Sequence, residues 1–244
     1  MSIKNIIKEK AEVLGVPVSD DLIEKLEIYA KELKEWNEKI NLTAITDDEG
    51  IAIKHFLDSM SAITTGCVKG SVIDVGTGAG FPGLVLKIAN PQISLTLLDS
   101  LNKRLTVLKD ITSKIDINDV EFVHSRAEDG GRSAQYREKF DTVVSRAVAN
   151  MTQLSEWCLP FVKVGGYFLA LKGPAADEEL NDAKRMISML GGEVLEVKEV
   201  QIPFSDLKHR IIIVKKVRQT PMRFPQKKGI KTKNSGGNCY NLKK

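Results

Sequence analysis

The stretch VIDVGTGAGFPG, residues 72–83, limits what this chain can fold into more than any other. An apolar run ending in an acid gives way to four glycines in eight positions. Pro82 then suits the first turn of a helix, where its missing N–H costs nothing. Strand, glycine turn and helix in that order form the ligand-holding unit of a doubly wound α/β sheet. The rest of the chain from Ser71 agrees. VIDV (72–75), ISLTLLD (93–99), VEFVH (120–124), FDTVVSRA (140–147) and GGYFLALK (165–172) read as five strands alternating with helical patterns, the clearest at 102–115 and 177–190. GGEVLEVKEVQI and HRIIIVKKV follow with no helix between them, which predicts an antiparallel hairpin closing the sheet. The expectation is an α/β, Rossmann-like, mostly parallel seven-stranded sheet.

Residues 1–65 read as a helical extension. Leu22, Leu26, Tyr29, Leu33 and Trp36 recur at three- and four-residue steps, as one apolar helix face requires, and Ser19 with Asp20 and Asp21 makes an N-terminal cap. WNEKINLTAIT breaks that period, and DDEGIAIKHFLDSMSAI starts a second helical pattern. The expected division is a helical extension (1–65), a sheet domain (66–220) and a basic, flexible tail (221–244). Ten Lys/Arg and no acid fall between Lys215 and Lys244, while the whole chain carries only +4. A basic tail on a mildly acidic body points to a polyanionic partner, most simply nucleic acid.

Hydrophobic residues make up 42% and charged residues 28%, as in a globular protein with a sizeable core. No apolar run approaches the ~20 residues of a membrane span. Cys67, Cys158 and Cys239 are scattered and form no C-x-x-C pair, so neither a disulfide framework nor a zinc site is expected. The start lacks the apolar core of a signal peptide, and a reducing cytoplasm is the expected setting.

The glycine loop matches the dinucleotide fingerprint through Gly78, Gly80 and Gly83, with Asp99 nineteen residues after Gly80. Two details oppose a pyrophosphate. Asp74, at the strand end, would face it at close range, and Phe81-Pro82 would narrow its amide cradle. A ligand carrying an ammonium and a sulfonium suits the carboxylate, so S-adenosyl-L-methionine is the expected cofactor. Gly76 and Gly78 would let the backbone approach it, and Asp99 would accept both ribose hydroxyls. Ala127 and Glu128, in the turn after the third strand, are candidates for the adenine edge. Arg146, at the end of the fourth strand, would hold the cofactor or a target phosphate.

In this order, WNEKINLT, HFLDS, DVGTGAGFPG, LLDSLNKR, RAED and SRAVA…LALKG resemble the bacterial small-subunit ribosomal RNA guanine-N7 methyltransferases, over roughly residues 20–225. The resemblance implies a class I methyltransferase fold and methyl transfer to N7 of one guanine in 16S ribosomal RNA, free or in the small subunit. It implies cofactor contacts at Gly76, Phe81, Ala127, Glu128 and Arg146. It also implies RNA or structural roles for His55, Asp58, Asn102, Lys103 and Arg104. Lys103, Arg104, Arg146, Lys172 and the tail are the expected sources of salt-sensitive RNA affinity. Gln226 stands where the family pattern has Arg.

Guanine N7 carries a lone pair and no proton, so positioning alone is expected, with no catalytic acid, base or metal. His124 and His209 are assigned no chemistry, and Trp36 is expected in the core. A monomer suffices. The rivals are a small-molecule methyltransferase, a non-catalytic RNA-binding protein that retains the fold, and a dinucleotide oxidoreductase.

Overall fold

Seven strands form one sheet in the order β3–β2–β1–β4–β5–β7–β6. They are β1 (Ser71–Val75), β2 (Ser94–Asp99), β3 (Val120–His124), β4 (Phe140–Arg146), β5 (Val162–Lys172), β6 (Gly192–Gln201) and β7 (Lys208–Lys216). This computed structural model describes residues 2–146, 148–202 and 208–226. The first five strands pair in parallel, while β7 pairs antiparallel with both β5 and β6. The order reverses between β1 and β4, so the switch-point crevice opens beyond their carboxyl ends. The expected hairpin is therefore present, with β7 inserted inside β6. β5 starts earlier than its sequence pattern suggests, at Val162, and its pairing with β4 shifts between Phe140 and Thr142.

The strands read as unbroken apolar runs because both faces are covered. Val72, Leu97, Val144, Ile211 and Ile213 pack into one core; their neighbours Ile73, Leu98, Val143, Ile212 and Val214 pack into the other. On the first face lie α1 (Ile3–Val13), α2 (Asp20–Asn37), a continuous helical stretch over residues 48–65, α5 (Gly83–Ala89) and α6 (Asn102–Lys114). That stretch comprises α3 (Asp48–Gly50), a π-helix (Ile51–Leu57), α4 (Asp58–Met60) and a 3₁₀ turn (Ser61–Thr65). The second face carries α8 (Met151–Cys158) and α9 (Ala176–Met189), with the short α7 (Ala127–Gly130) against α8. The N-terminal helices thus share one core with the sheet.

Local chemistry explains the helix boundaries. The Ser19 hydroxyl accepts the Leu22 N–H at 3.1 Å, with Asp20 and Asp21 in the first turn. After α2 the Asn37 side chain accepts the N–H groups of Leu42 and Thr43 at 2.8 and 2.9 Å, which shapes the turn written as NEKINLT. Trp36 is half-buried, and its indole N–H reaches Asp110 of α6 at 2.7 Å. Cys158 is buried in the second core, with burial pushing its thiol well up; Cys239 lies outside the described residues.

The segment expected to begin a flexible tail is packed as far as Gln226. Phe224 enters the second core, and the Arg137 guanidinium donates to the carbonyls of Thr220 (2.8 Å), Phe224 (2.8 Å) and Gly131 (2.9 Å). Gln226 is held through its backbone N–H, 2.6 Å from Glu156, so this contact does not depend on the side chain at that position. Residues 227–244 of the expected tail lie outside the described residues.

Tyr29 of α2 joins the helical layer to the glycine loop. It is fully buried, stacks on Phe81 with centroids 5.4 Å apart, and donates its hydroxyl to the Ala79 carbonyl at 2.5 Å. Tyr29→Phe leaves that buried carbonyl unpaired and should lower stability by about 1–3 kcal/mol, measured by urea unfolding.

Candidate active site

The loop between β1 and α5 is built from the ends of two strands. Gly76, Gly78 and Gly80 adopt φ of +75°, +61° and +96°, a region that side chains strain to enter. Asp74 supplies the internal brace. Its Oδ2 accepts the Thr77 hydroxyl at 2.8 Å and the Gly83 N–H at 2.9 Å. From the end of β2, Asp99 Oδ2 accepts the Gly78 N–H at 2.9 Å, and the Leu98 carbonyl takes those of Gly76 and Thr77. The Thr77 carbonyl takes those of Gly80 and Phe81. The N–H groups of Gly76, Thr77, Gly78, Gly80, Phe81 and Gly83 are therefore all engaged within the protein.

This corrects the expected role of Asp74. Its side chain is fully buried and does not line the cavity beside the loop, because the loop folds back over it; among the described residues Oδ1 has no hydrogen-bond partner. Phosphate is disfavoured for a different reason than the sequence suggested: all but one of the amides from Gly76 to Phe81 are already paired, with only the Ala79 N–H lacking a partner among the described residues.

A cavity of about 660 Å³ opens over the carboxyl ends of β1, β2 and β4. Gly76, Gly78, Phe81, Asp99, Ala127, Glu128 and Arg146 all line it. The glycines leave a cradle: a Cβ at Gly76 would lie 2.9 Å from Val148, whereas Gly78 faces open space. Asp99 is 2% exposed and accepts the Leu101 N–H (2.8 Å), the Gly78 N–H and Arg104 at 3.3 Å. A carboxylate has about four acceptor sites, so one remains for a ligand hydroxyl and a second if Arg104 withdraws. Trp157 of α8 and Val148 also line the cavity. Sequence reasoning missed both, since only the chain's path after β4 brings them there.

Arg146 is the hub of the far wall. It donates to Asp58 at 2.8 Å, to the Lys54 carbonyl at 3.0 Å and to His55 Nδ1 at 3.3 Å, and its guanidinium lies 5.0 Å from the Phe81 ring centroid. His55 stacks on the same ring at 4.4 Å. Burial, with the Arg146 charge, pushes the imidazole down to about 4, so it is neutral at physiological pH. Its Nδ1 also lies 3.2 Å from the Lys54 carbonyl, and its Nε2 lies 2.8 Å from the Thr43 hydroxyl. Burial acts to raise the Asp58 carboxyl, yet the His209 and Arg146 contacts outweigh it and hold it below the usual range. The His209–Asp58 pair spans 151 residues, a separation that left it invisible in the sequence.

The remaining candidates separate. Asn102 and Lys103 are exposed at the start of α6 and do not line this cavity, whereas Arg104 does. Lys172 departs from the expected RNA-facing cation. Its side chain is 8% exposed and bonded to Glu179 (2.6 Å) and to the Ala149 carbonyl (2.9 Å), so it pins the loop after β4. Among the described residues no cluster of three metal-ligating side chains occurs, and no helix is long and apolar enough to cross a membrane.

Comparison with known proteins gives a consistent picture. Residues 22–210 match the family model GidB, rRNA small subunit methyltransferase G. The ribosomal RNA small subunit methyltransferase G of Alkaliphilus oremlandii (strain OhILAs) is 53% identical over 231 residues, covering 94% of this chain and 97% of that protein. The protein of the same name from Clostridium novyi (strain NT) is 52% identical, covering 94% and 95%. Among solved structures, M. jannaschii TYW2 in complex with AdoMet superposes with a TM-score of 0.50 at 12% identity, covering 66% of this chain and 77% of that one.

Burial, against the Gly83 and Thr77 donors, pushes Asp74 up to about 6 from an ordinary 3.8. Between these values the folded state holds a proton that the unfolded chain has released. The group's contribution to stability therefore falls as pH rises through this window, by up to about 3 kcal/mol. Urea unfolding from pH 4 to 7 should show the stability of the natural protein relative to Asp74→Asn falling over that range; a constant difference would exclude the titration.

Proposed function

This chain belongs to the rRNA small subunit methyltransferase G family, and on that premise we propose that it transfers the methyl group of S-adenosyl-L-methionine to N7 of one guanine in 16S ribosomal RNA. The observation that carries the cofactor reading is the single cavity in which Gly76, Gly78, Asp99, Ala127 and Glu128 converge beside a loop most of whose amides are already paired. Such a loop offers little to a pyrophosphate but leaves room for an uncharged adenosine and a cationic methyl donor. When bound, the cofactor supplies an electrophilic methyl group.

The chain's residues bind and orient. Gly76 and Gly78 admit close backbone approach, Asp99 accepts ribose hydroxyls, and Ala127 with Glu128 meets the adenine edge. Phe81, held between Tyr29 and His55, gives the cavity a rigid floor, and Arg146 closes it. No residue needs to accept a proton from guanine N7, and the neutral, doubly bonded His55 fits a positioning role. Rate enhancement then comes from orientation and water exclusion. Lys103 and Arg104, beside the cavity mouth, supply part of the RNA affinity. The substrate is ribosomal RNA, free or in the small subunit, and the protein acts as a cytoplasmic monomer.

Calorimetry tests the cofactor. Adenosylhomocysteine should bind and NAD should not, and Asp99→Ala should weaken binding by about tenfold or more while circular dichroism stays unchanged, as expected when a hydrogen bond to a charged group is lost. NAD binding without adenosylhomocysteine binding would restore the oxidoreductase reading. Transfer of labelled methyl to 16S RNA, naked and in the small subunit, should occur with at least one of them and map to guanine N7. Adenosylhomocysteine binding without transfer to either would favour a small-molecule substrate.

A further inference from the structure

Arg146 and His55 line open space on both sides. Beyond them, at the carboxyl ends of β4 and β5, lies a second cavity of about 470 Å³. Ile45, Leu171, Pro174 and Ala175 give it apolar walls. Most of its polar groups are already committed. Arg146 and His209 pair with Asp58, and Lys172 pairs with Glu179. Two groups keep capacity. Lys54 is exposed, and among the described residues its ammonium makes no bond. Glu179 uses only Oε2, which takes the Met151 N–H at 2.9 Å and Lys172 at 2.6 Å, so among the described residues Oε1 is left without a donor.

A carboxylate oxygen between apolar walls, with a cation nearby, complements a guanine nucleotide. The base has apolar faces, its N1–H and 2-amino group donate along one edge, and its phosphate is anionic. Adenine offers a lone pair at N1 and would be repelled. We propose that this second cavity receives the target guanine, with Glu179 accepting from its N1–H and 2-amino edge and Lys54 meeting its phosphate. N7, on the far side of the base, then points to the wall of Arg146 and His55 that borders both cavities, and the transfer requires Arg146 to swing aside so that N7 meets the methyl group in line. The assignment rests on the guanine-N7 reading above. It makes Glu179 the residue that selects the base.

The test compares guanine with inosine, which lacks the 2-amino group, at the methylated position of the substrate RNA. For the natural protein, inosine should lower kcat/KM by about tenfold or more, as expected when a contact to a base edge is lost. In Glu179→Gln, kcat/KM for guanine should fall while that for inosine changes less, so that the guanine-to-inosine ratio falls towards one. A purely structural role in holding Met151 and Lys172 would lower both rates and leave that ratio unchanged, which would overturn the proposal. Lys54→Met, at an exposed position, provides a second arm. It should weaken RNA binding and reduce the salt slope by about one, with adenosylhomocysteine affinity unchanged; an unaltered slope would remove Lys54 from the site. Absence of transfer to guanine by the natural protein would instead defeat the functional reading, leaving the cavity assignment without its premise.

Discussion

The site depends on two strand-end carboxylates that consume the donors of the glycine loop. Asp74 takes the Thr77 hydroxyl and the Gly83 N–H from below, and Asp99 takes the Gly78 N–H from the neighbouring strand. Together with the Leu98 and Thr77 carbonyls they fix a loop of otherwise unfavourable backbone angles. The loop is thereby shaped before any ligand arrives. Burying Asp74 with one oxygen unpaired carries a cost, visible in its raised affinity for a proton. The same loop in a phosphate-binding protein would direct its amides outward; here most of them are spent within the protein.

The second organising element is the aromatic and cationic wall. Tyr29, Phe81 and His55 stack in sequence, and Arg146 lies over the Phe81 ring while bonding to Asp58 and His55. These residues come from α2, the glycine loop, the π-helix before α4, and β4. The extra width of a π turn accompanies the arrangement in which His55 and Asp58 both face Arg146. The helical layer is therefore part of the site's construction, not only a cover for the sheet.

Much of this was legible in the sequence because it is local. Strand runs, the glycine turn and the acid at the end of β2 each lie within a few residues of the features that reveal them. The number of strands and the closing antiparallel hairpin follow from alternation and one helix-free connection, whereas the place of β7 inside β6 does not. What was illegible depends on direction and distance. Asp74 was read as facing a ligand because sequence cannot show that a loop folds back over its own strand end. Lys172 was read as an RNA contact because an isolated lysine at a strand end gives no sign of Glu179 seven residues later on α9, or of the Ala149 carbonyl it holds. Trp157 reached the cavity unnoticed, since its helical pattern indicated only an apolar face. His209 had no visible partner because Asp58 lies on the other side of the whole sheet domain in the chain.

That last pair has a consequence for how the molecule comes into being. His209 sits on β7, the last strand among the described residues to leave the ribosome, and it bonds to Asp58, 151 residues earlier. β7 also inserts between β5 and β6, so β6 has no place in the sheet until β7 arrives. A nascent chain that already carries the glycine loop, Asp99 and Arg146 still lacks the strand against which Asp58 is fixed. Contacts of such sequence separation form late and slowly. The far wall of the site is thus among the last features to be completed, which postpones a finished pocket until β7 has been synthesised.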